Sequence, residues 1–137
     1  MAETLKLEIV TPEATVYSEQ VDMVTLPAVV GQIGVYPQHV ALMTQMVPGE
    51  MIVRRDGRDN YLAVGEGLVD ITGDRVAIVT DMAVAAGSID EAKAEEARQR
   101  AAARLREKIS AEEAASVNAA LARSLAQLGV SRRRRRV

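Results

Sequence analysis

Cysteine, tryptophan and phenylalanine are absent from all 137 residues. Without cysteine there is no disulfide, no thiolate nucleophile and no cysteine-ligated zinc. With only Tyr17, Tyr36 and Tyr61 as aromatic side chains, the chain lacks the stacking platforms of single-strand nucleic-acid binders, and its core has to be aliphatic. Long apolar runs are missing too. None approaches the ~20 residues that a membrane-spanning helix needs, and residues 1–10 alternate rather than running from a charged start into an apolar block. This predicts a protein working inside the cell with no signal or transit segment. Histidine is reduced to His39, and no G-x-S-x-G occurs, so a hydrolytic triad would have no base beside a nucleophile.

What is present is a balanced composition, 48% hydrophobic and 26% charged with a mean hydropathy of +0.00, which is that of a soluble globular chain of one or two small domains. The formal charge is −2, but the arginines at 132–136 supply five of the 17 basic residues; without them 12 basic residues face 19 acidic ones, a balance of −7. An acidic body repels phosphate, so only the tail offers a polyanion anything, and a solvated, disordered tail is the expectation there. Asp56, Asp59, Asp70 and Asp74 fall in or beside predicted turns and read as solvated turn residues, not metal ligands. Gly65-Glu66-Gly67 starts like a dinucleotide fingerprint, yet Asp70 occupies the third glycine position and a strand pattern follows.

From Thr4 to about Thr80 apolar residues tend to recur at every second position, as Leu5, Leu7 and Ile9 do against Lys6 and Glu8; this is the pattern of half-buried strands. Residues 15–22, 23–27, 42–46 and 50–55 continue it. Asp56-Gly57 and Gly73-Asp74 predict tight turns, the first joining 51–53 to 61–64 and the second joining 68–71 to 76–79. Eight to ten short strands fit in that length, and with no helical stretch between them they indicate an antiparallel sandwich or flattened barrel.

After Gly87 the composition changes abruptly. Residues 88–128 hold 13 alanines and neither proline nor glycine, which favours helix throughout. Ser88 and Ser110 each open an S-x-x-E pattern, predicting two helices capped by those serines, with Gly129 closing the second. The short break near Ile109-Ser110 predicts an antiparallel hairpin. Its facing stripes are Ile89, Ala97, Ala101, Leu105 and Ile109 against Ala114, Val117, Leu121, Leu125 and Leu128. Methyl groups bury little area, so the hairpin should pack weakly, and it reads either as a detachable element or as a permanently docked two-helix cap. The domain expectation is a β-sandwich over 1–86, a helical hairpin over 87–131 and a basic tail over 132–137.

One stretch stands apart: residues 31–44, in which two glycines and a proline punctuate apolar residues beside an imidazole. It reads either as a sandwich corner or as a loop presenting Tyr36, His39 and Met43 to a partner. This segment, with its G-x-x-G-V-Y-P-x-H-x-x-L pattern, joins Val10-Thr11-Pro12, the 63–71 stretch A-V-G-E-G-L-V-D-I and the helix-opening I-D-E-A-K-A of 89–94. Together, in the order sandwich then hairpin, these make the sequence resemble the epsilon subunit of bacterial F-type ATP synthases, called delta in mitochondria, over essentially its whole length.

The resemblance implies a ten-stranded sandwich and two helices in a non-catalytic rotor subunit of the central stalk. It would bind gamma, rest on the ring of c subunits, and couple rotation to proton-driven ATP synthesis at the cytoplasmic face of the bacterial plasma membrane, peripherally and through the complex only. Gln32, Tyr36, His39 and Met43 would then lie at the c-ring contact. Gln32 stands where the family often has glutamate, which removes a charge pair with a basic c-ring loop but keeps a hydrogen-bonding amide. The resemblance also implies a hairpin that can extend along gamma and inhibit ATP hydrolysis, with Arg98, Arg100, Arg104, Arg106, Lys108 and Arg123 as candidate contacts to the alpha/beta head. Some members bind ATP on the folded hairpin. Ile89, Asp90, Lys93 and Arg100 match that motif except that Lys93 replaces arginine and 83–86 supplies no acidic partner, so weak or negligible ATP affinity is expected. No cofactor, metal or nucleic-acid partner is expected. A freestanding nucleotide sensor and a basic-tailed nucleic-acid adaptor are the alternatives.

Overall fold

The computed structural model describes residues 3–135. Ten strands come first: β1 Leu5–Val10, β2 Thr15–Val21, β3 Met23–Ala28, β4 Gly31–Val35, β5 His39–Met46, β6 Gly49–Arg55, β7 Arg58–Val64, β8 Gly67–Gly73, β9 Arg75–Thr80 and β10 Ala83–Ala85. A single 3-10 turn, Ala86–Ser88, leads to the helices α1, Glu91–Leu105, and α2, Ala111–Arg135. The hydrogen-bonded path runs β10-β7-β6-β3-β5-β8-β9-β1-β2, with β4 paired to β3.

Between β3 and β5 that path narrows to the Ala28–Met46 pair, flanked by bonds from Val29 N to Gln45 O and from Val47 N to Pro27 O. The sheet therefore folds there into two layers facing one another. Along β1 burial alternates residue by residue, Leu5, Leu7 and Ile9 being inaccessible while Lys6 and Glu8 are not. Their inner faces meet Val24, Leu26, Met51, Val53, Val69, Ile71 and Ile78 in one aliphatic core. All pairings are antiparallel except β1 with β9, where Leu7 lies beside Val76. An Arg55–Glu19 ion pair links β6 to β2 across the opposite side.

The turns follow their residues. At the β6–β7 hairpin both Asp56 (φ 53°) and Gly57 (φ 75°) lie in the left-handed region, as a two-residue type I′ turn requires. Gly57 N also donates to the Asp22 carboxylate. The 31–35 segment, part of the stretch read as a corner or a loop, is β4, hydrogen-bonded along β3, and β5 begins at His39, with an irregularity in its pairing before Leu42.

Of three helix-end expectations, two are corrected. Ser88 does not cap α1: Ile89 is extended, and Asp90 is the cap, its carboxylate accepting from Lys93 N at 3.1 Å. Ser110 does cap α2 by accepting from Glu113 N. Gly129 ends nothing, because α2 continues through it to Arg135. A mid-helix glycine costs roughly 0.5–1 kcal/mol relative to alanine, and the buried Leu128 and Val130 on either side offset that. Residues 132–135, the start of the tail expected to be disordered, are the last turn of α2, while Arg136 and Val137 lie outside the described residues. The packing stripes also differ. Leu125 is half-exposed, Ile89 and Ile109 lie outside the helices, and the buried positions are Ala94, Ala101, Ser124, Leu128 and Val130. The second helix docks on β6 and β7, and α1 lies against α2.

Candidate functional site

Two regions hold the side chains singled out by sequence. The first is the β4–β5 end of the sandwich. Gln38 takes a left-handed backbone (φ 66°) that turns the chain into β5, its N–H donating to the Asp74 carboxylate at 3.1 Å and its side chain to Glu3 at 3.2 Å. This ties the segment to the β8–β9 turn, where His39 sits opposite Gly73. His39 Nδ1 donates to the Val40 carbonyl at 2.6 Å, which fixes the ring's orientation. Around it the apolar side chains are uncovered: Val40 is 80% exposed, Met43 71% and Tyr36 60%.

Tyr36 and His39 therefore flank one connection at one end of the sandwich. Gln32 lies four positions back along β4, opposite Pro27, and Met43 four positions on along β5, opposite Asp70; at ~3.3 Å per residue each is ~13 Å from that end. All four reach the surface, but they form a strip running over the end, not a point cluster.

The second region is the groove where the hairpin meets the sandwich. Its floor is set by close backbone approach: a Cβ on Gly65 would come within 1.9 Å of the Asp81 carboxylate, and one on Gly67 within 2.3 Å of the Val79 carbonyl. With Thr80 Oγ1 donating to the Glu66 carbonyl at 2.7 Å and Gly65 N to Met82 O at 2.9 Å, this packing delivers Asp81 and Met82 to α2. Arg123 then reaches the Asp81 carboxylate at 3.1 Å, and Gln127 reaches Met82 Sδ at 3.0 Å. Lys93, Arg100, Arg123 and Asp81 line one cavity of about 450 Å³. Of the four residues expected to hold ATP, Lys93 and Arg100 are thus brought together, Asp90 is committed as the α1 cap, and Ile89 is half-buried beside it. Asp81, outside 83–86, puts a carboxylate in the same groove, where Arg123 holds it.

The other cations of the hairpin are engaged with carboxylates or exposed. Arg98 pairs with Glu95 at 2.6 Å, and this hydrogen bond, aided by one from Gln99, holds the Glu95 carboxyl down to about 2 against the partial desolvation that opposes it. Arg104 bridges Glu107 and Glu113, fastening the end of α1 to the start of α2, and its pKa is raised by those carboxylates. Arg106 closes α1 with its backbone N–H, and both it and Lys108 are exposed at the tip of the hairpin. A larger cavity of about 630 Å³ lies under the 86–87 linker among Tyr17, Arg55, Asn60 and Tyr61. Two of its charged lining residues are already matched, Arg55 with Glu19 and Asp59 with Arg54, and it lies away from both predicted sites.

What sequence reasoning missed are the hairpin's partners on the sandwich: Asp81, Met82, Glu50 and Tyr61. Arg133 pairs with Glu50, and its guanidinium lies 5.5 Å from the centre of the Tyr61 ring. No local pattern signals contacts between residues so far apart in the chain.

The comparisons with known proteins agree across both halves. Residues 4–86 match the family model described as "ATP synthase, Delta/Epsilon chain, beta-sandwich domain", and residues 88–132 match "ATP synthase, Delta/Epsilon chain, long alpha-helix domain". The chain is 40% identical over 131 residues to an ATP synthase epsilon chain of Herpetosiphon aurantiacus, covering 96% of each, and 42% identical over 134 residues to ATP synthase epsilon chain 2 of Syntrophotalea carbinolica, covering 97% of each. Its fold superposes with a TM-score of 0.76 and 21% identity on a chain of the Euglena gracilis mitochondrial ATP synthase, solved as OSCP, F1 and c-ring, covering 93% of this chain and 81% of that one.

Proposed function

The chain belongs to the delta/epsilon family of ATP synthase chains, and on that premise we propose that it is a central-stalk subunit joining gamma to the c ring. The observation that carries this reading is the matching of both family domains, in order, within one chain of the same length as its relatives. In this role the sandwich transmits rotation and performs no chemistry. The exposed strip of Gln32, Tyr36, His39, Val40 and Met43 meets the c-ring loops, with Tyr36 and Met43 supplying apolar contact and Gln32 an uncharged hydrogen-bonding group. No helix among the described residues is long and apolar enough to cross a membrane, so attachment to the bilayer runs through the complex, at the cytoplasmic face in a bacterium.

The hairpin supplies regulation. Docked, as here, Arg123 is held by Asp81 of the sandwich and Arg104 is tied across to Glu113 of α2; extended, those two contacts are released, and Arg104 and Arg123 join Arg98, Arg106 and Lys108 in meeting acidic segments of the alpha/beta head and slowing ATP hydrolysis. The deciding experiment compares ATP hydrolysis by the membrane complex carrying the full chain with that of a complex whose chain ends at Gly87. Faster hydrolysis in the truncated, still-coupled complex is expected; equal rates confine the subunit to joining gamma and the c ring. Replacing His39 with Asp should weaken coupling, read as reduced ATP-driven proton pumping by the rebuilt complex, and unchanged pumping removes His39 from that contact.

The cation-lined groove favours a second reading, in which an anionic ligand such as ATP steadies the closed hairpin. Lys93 presents a point charge where a guanidinium would grip two phosphate oxygens at once, so affinity is weak and ATP shifts the melting temperature of the isolated chain little. A large shift, with failure to join the stalk, would instead favour a freestanding nucleotide sensor.

A further inference from the structure

The arginine run at 132–136 is expected to be a solvated tail, yet its described part is helical and makes contacts. Arg132 and Arg133 are neighbours on the last turn of α2, where successive side chains diverge by ~100° around the axis. They consequently reach two different bodies. Arg132 points back along the hairpin to the first turns of α1, its Nε lying 3.5 Å from Glu91 and its Nη2 3.3 Å from Glu95. Ser131 Oγ donates to the same Glu91 carboxylate at 2.9 Å. Arg133 points to the sandwich, pairing with Glu50 of β6 and lying over the Tyr61 ring of β7. Glu50 keeps 18% of its side chain exposed and Arg133 58%, so the pair joins a largely covered carboxylate to a guanidinium that stays in reach of solvent.

We propose that this arginine turn is an electrostatic clasp that holds the hairpin closed, joining the end of α2 at once to the start of α1 and to the sheet. The apolar part of the interface is thin. It consists mainly of Ala94 and Ala101 on α1 and Leu128 and Val130 on α2, so a few charge contacts weigh heavily in the balance between closed and open. Position matters as well. The clasp sits at the far end of α2 from the 106–110 link, beside the 86–90 connection to the sandwich, with the Arg123–Asp81 pair between. Because the contacts are between opposite charges close to solvent, they weaken with salt, which the alanine and leucine contacts do not. The clasp is a property of the closed chain by itself and holds whether or not the extended hairpin inhibits ATP hydrolysis.

The absence of native cysteine permits a direct test. Val130 is 1% exposed, and by helical spacing it shares the face of Arg123 and Gln127, which touch Asp81 and Met82. In the full chain carrying Val130→Cys, the rate of alkylation under native conditions reports how often the hairpin opens. Adding Arg132→Gln and Arg133→Gln is expected to raise that rate about tenfold. Raising NaCl from about 0.05 to about 0.5 M should accelerate labelling several-fold in the arginine chain and hardly at all in the double variant. Equal labelling of the two chains, or an equal salt response, overturns the clasp. So does a matching acceleration at a control cysteine placed at Val69 in the sandwich core, since that signals unfolding of the whole chain. Ser124→Cys, 5% exposed, serves as the second probe if the Val130 variant does not fold.

Discussion

The sandwich and the hairpin bury their surfaces in opposite ways. In the sandwich, large aliphatic side chains from at least seven strands, Leu5, Leu7, Leu26, Met51, Ile71 and their neighbours, lose all contact with water in one continuous core. In the hairpin, α1 buries two alanines, and α2 two aliphatic side chains and Ser124, whose hydroxyl is satisfied by the Ala120 carbonyl at 3.0 Å. Charge fills the gap: Arg104, Arg123, Arg132 and Arg133 each span two elements. Apolar burial is non-directional and responds little to moderate salt, whereas ion pairs near the surface are screened by it. The shape of the sandwich thus rests on apolar burial, and the docking of the hairpin rests more on charge.

That contrast can be broken at several points. The largest effect belongs to the sandwich core: Leu7→Ala should cost about 2–5 kcal/mol in urea unfolding of the whole chain. In the hairpin, Leu128→Ala should cost about 2–3 kcal/mol, but as lost protection of α2 docking, with amide exchange in β8 and β9 unchanged; a fall in both would show that the halves unfold as one. Acid gives a smaller, selective effect. Because Glu95 is held down to about 2, its stabilisation is complete above the ordinary carboxylate range and is lost as pH falls through about 2. The largest cause is Arg98 on the same helix and the smallest Arg132 across the hairpin, so Glu95→Gln should shift the acid melting of α1, read by helical circular dichroism across that range, while an identical titration would detach Glu95 from α1 stability. Smallest of all, Leu125→Ala should change stability by less than about 0.5 kcal/mol, because half of Leu125 already faces water. A larger loss would mean that it is covered by something other than the docked hairpin.

The same contrast explains what the amino-acid order disclosed. Alternation in β1 was readable because one face is entirely buried and the other is not, and the Asp56-Gly57 turn because both of its residues must adopt positive φ. The 31–35 strand was hidden by its glycines and its exposed outer face, and the start of β5 by the irregular pairing before Leu42. Helix ends were misjudged where tertiary contacts outweigh local preference: Gly129 is carried through by burial on both sides and by the arginine contacts beyond it. Of the groove, the cations were legible as a basic helix face, but Asp81 was not. Its place depends on the fit of Gly65 and Gly67 against the end of β9, and no spacing rule encodes that fit.

The parallel pairing of β1 with β9 bears on how the chain is assembled as it is made. Leu7 emerges first and waits for Val76, so the sandwich cannot close until nearly all of its strands have left the ribosome, and pairing across such a separation is slow to form. The hairpin follows immediately in the sequence and needs β6, β7 and the 81–82 corner already in place to dock. Its seat is therefore ready only moments before its occupant arrives, which makes closure the final act of folding.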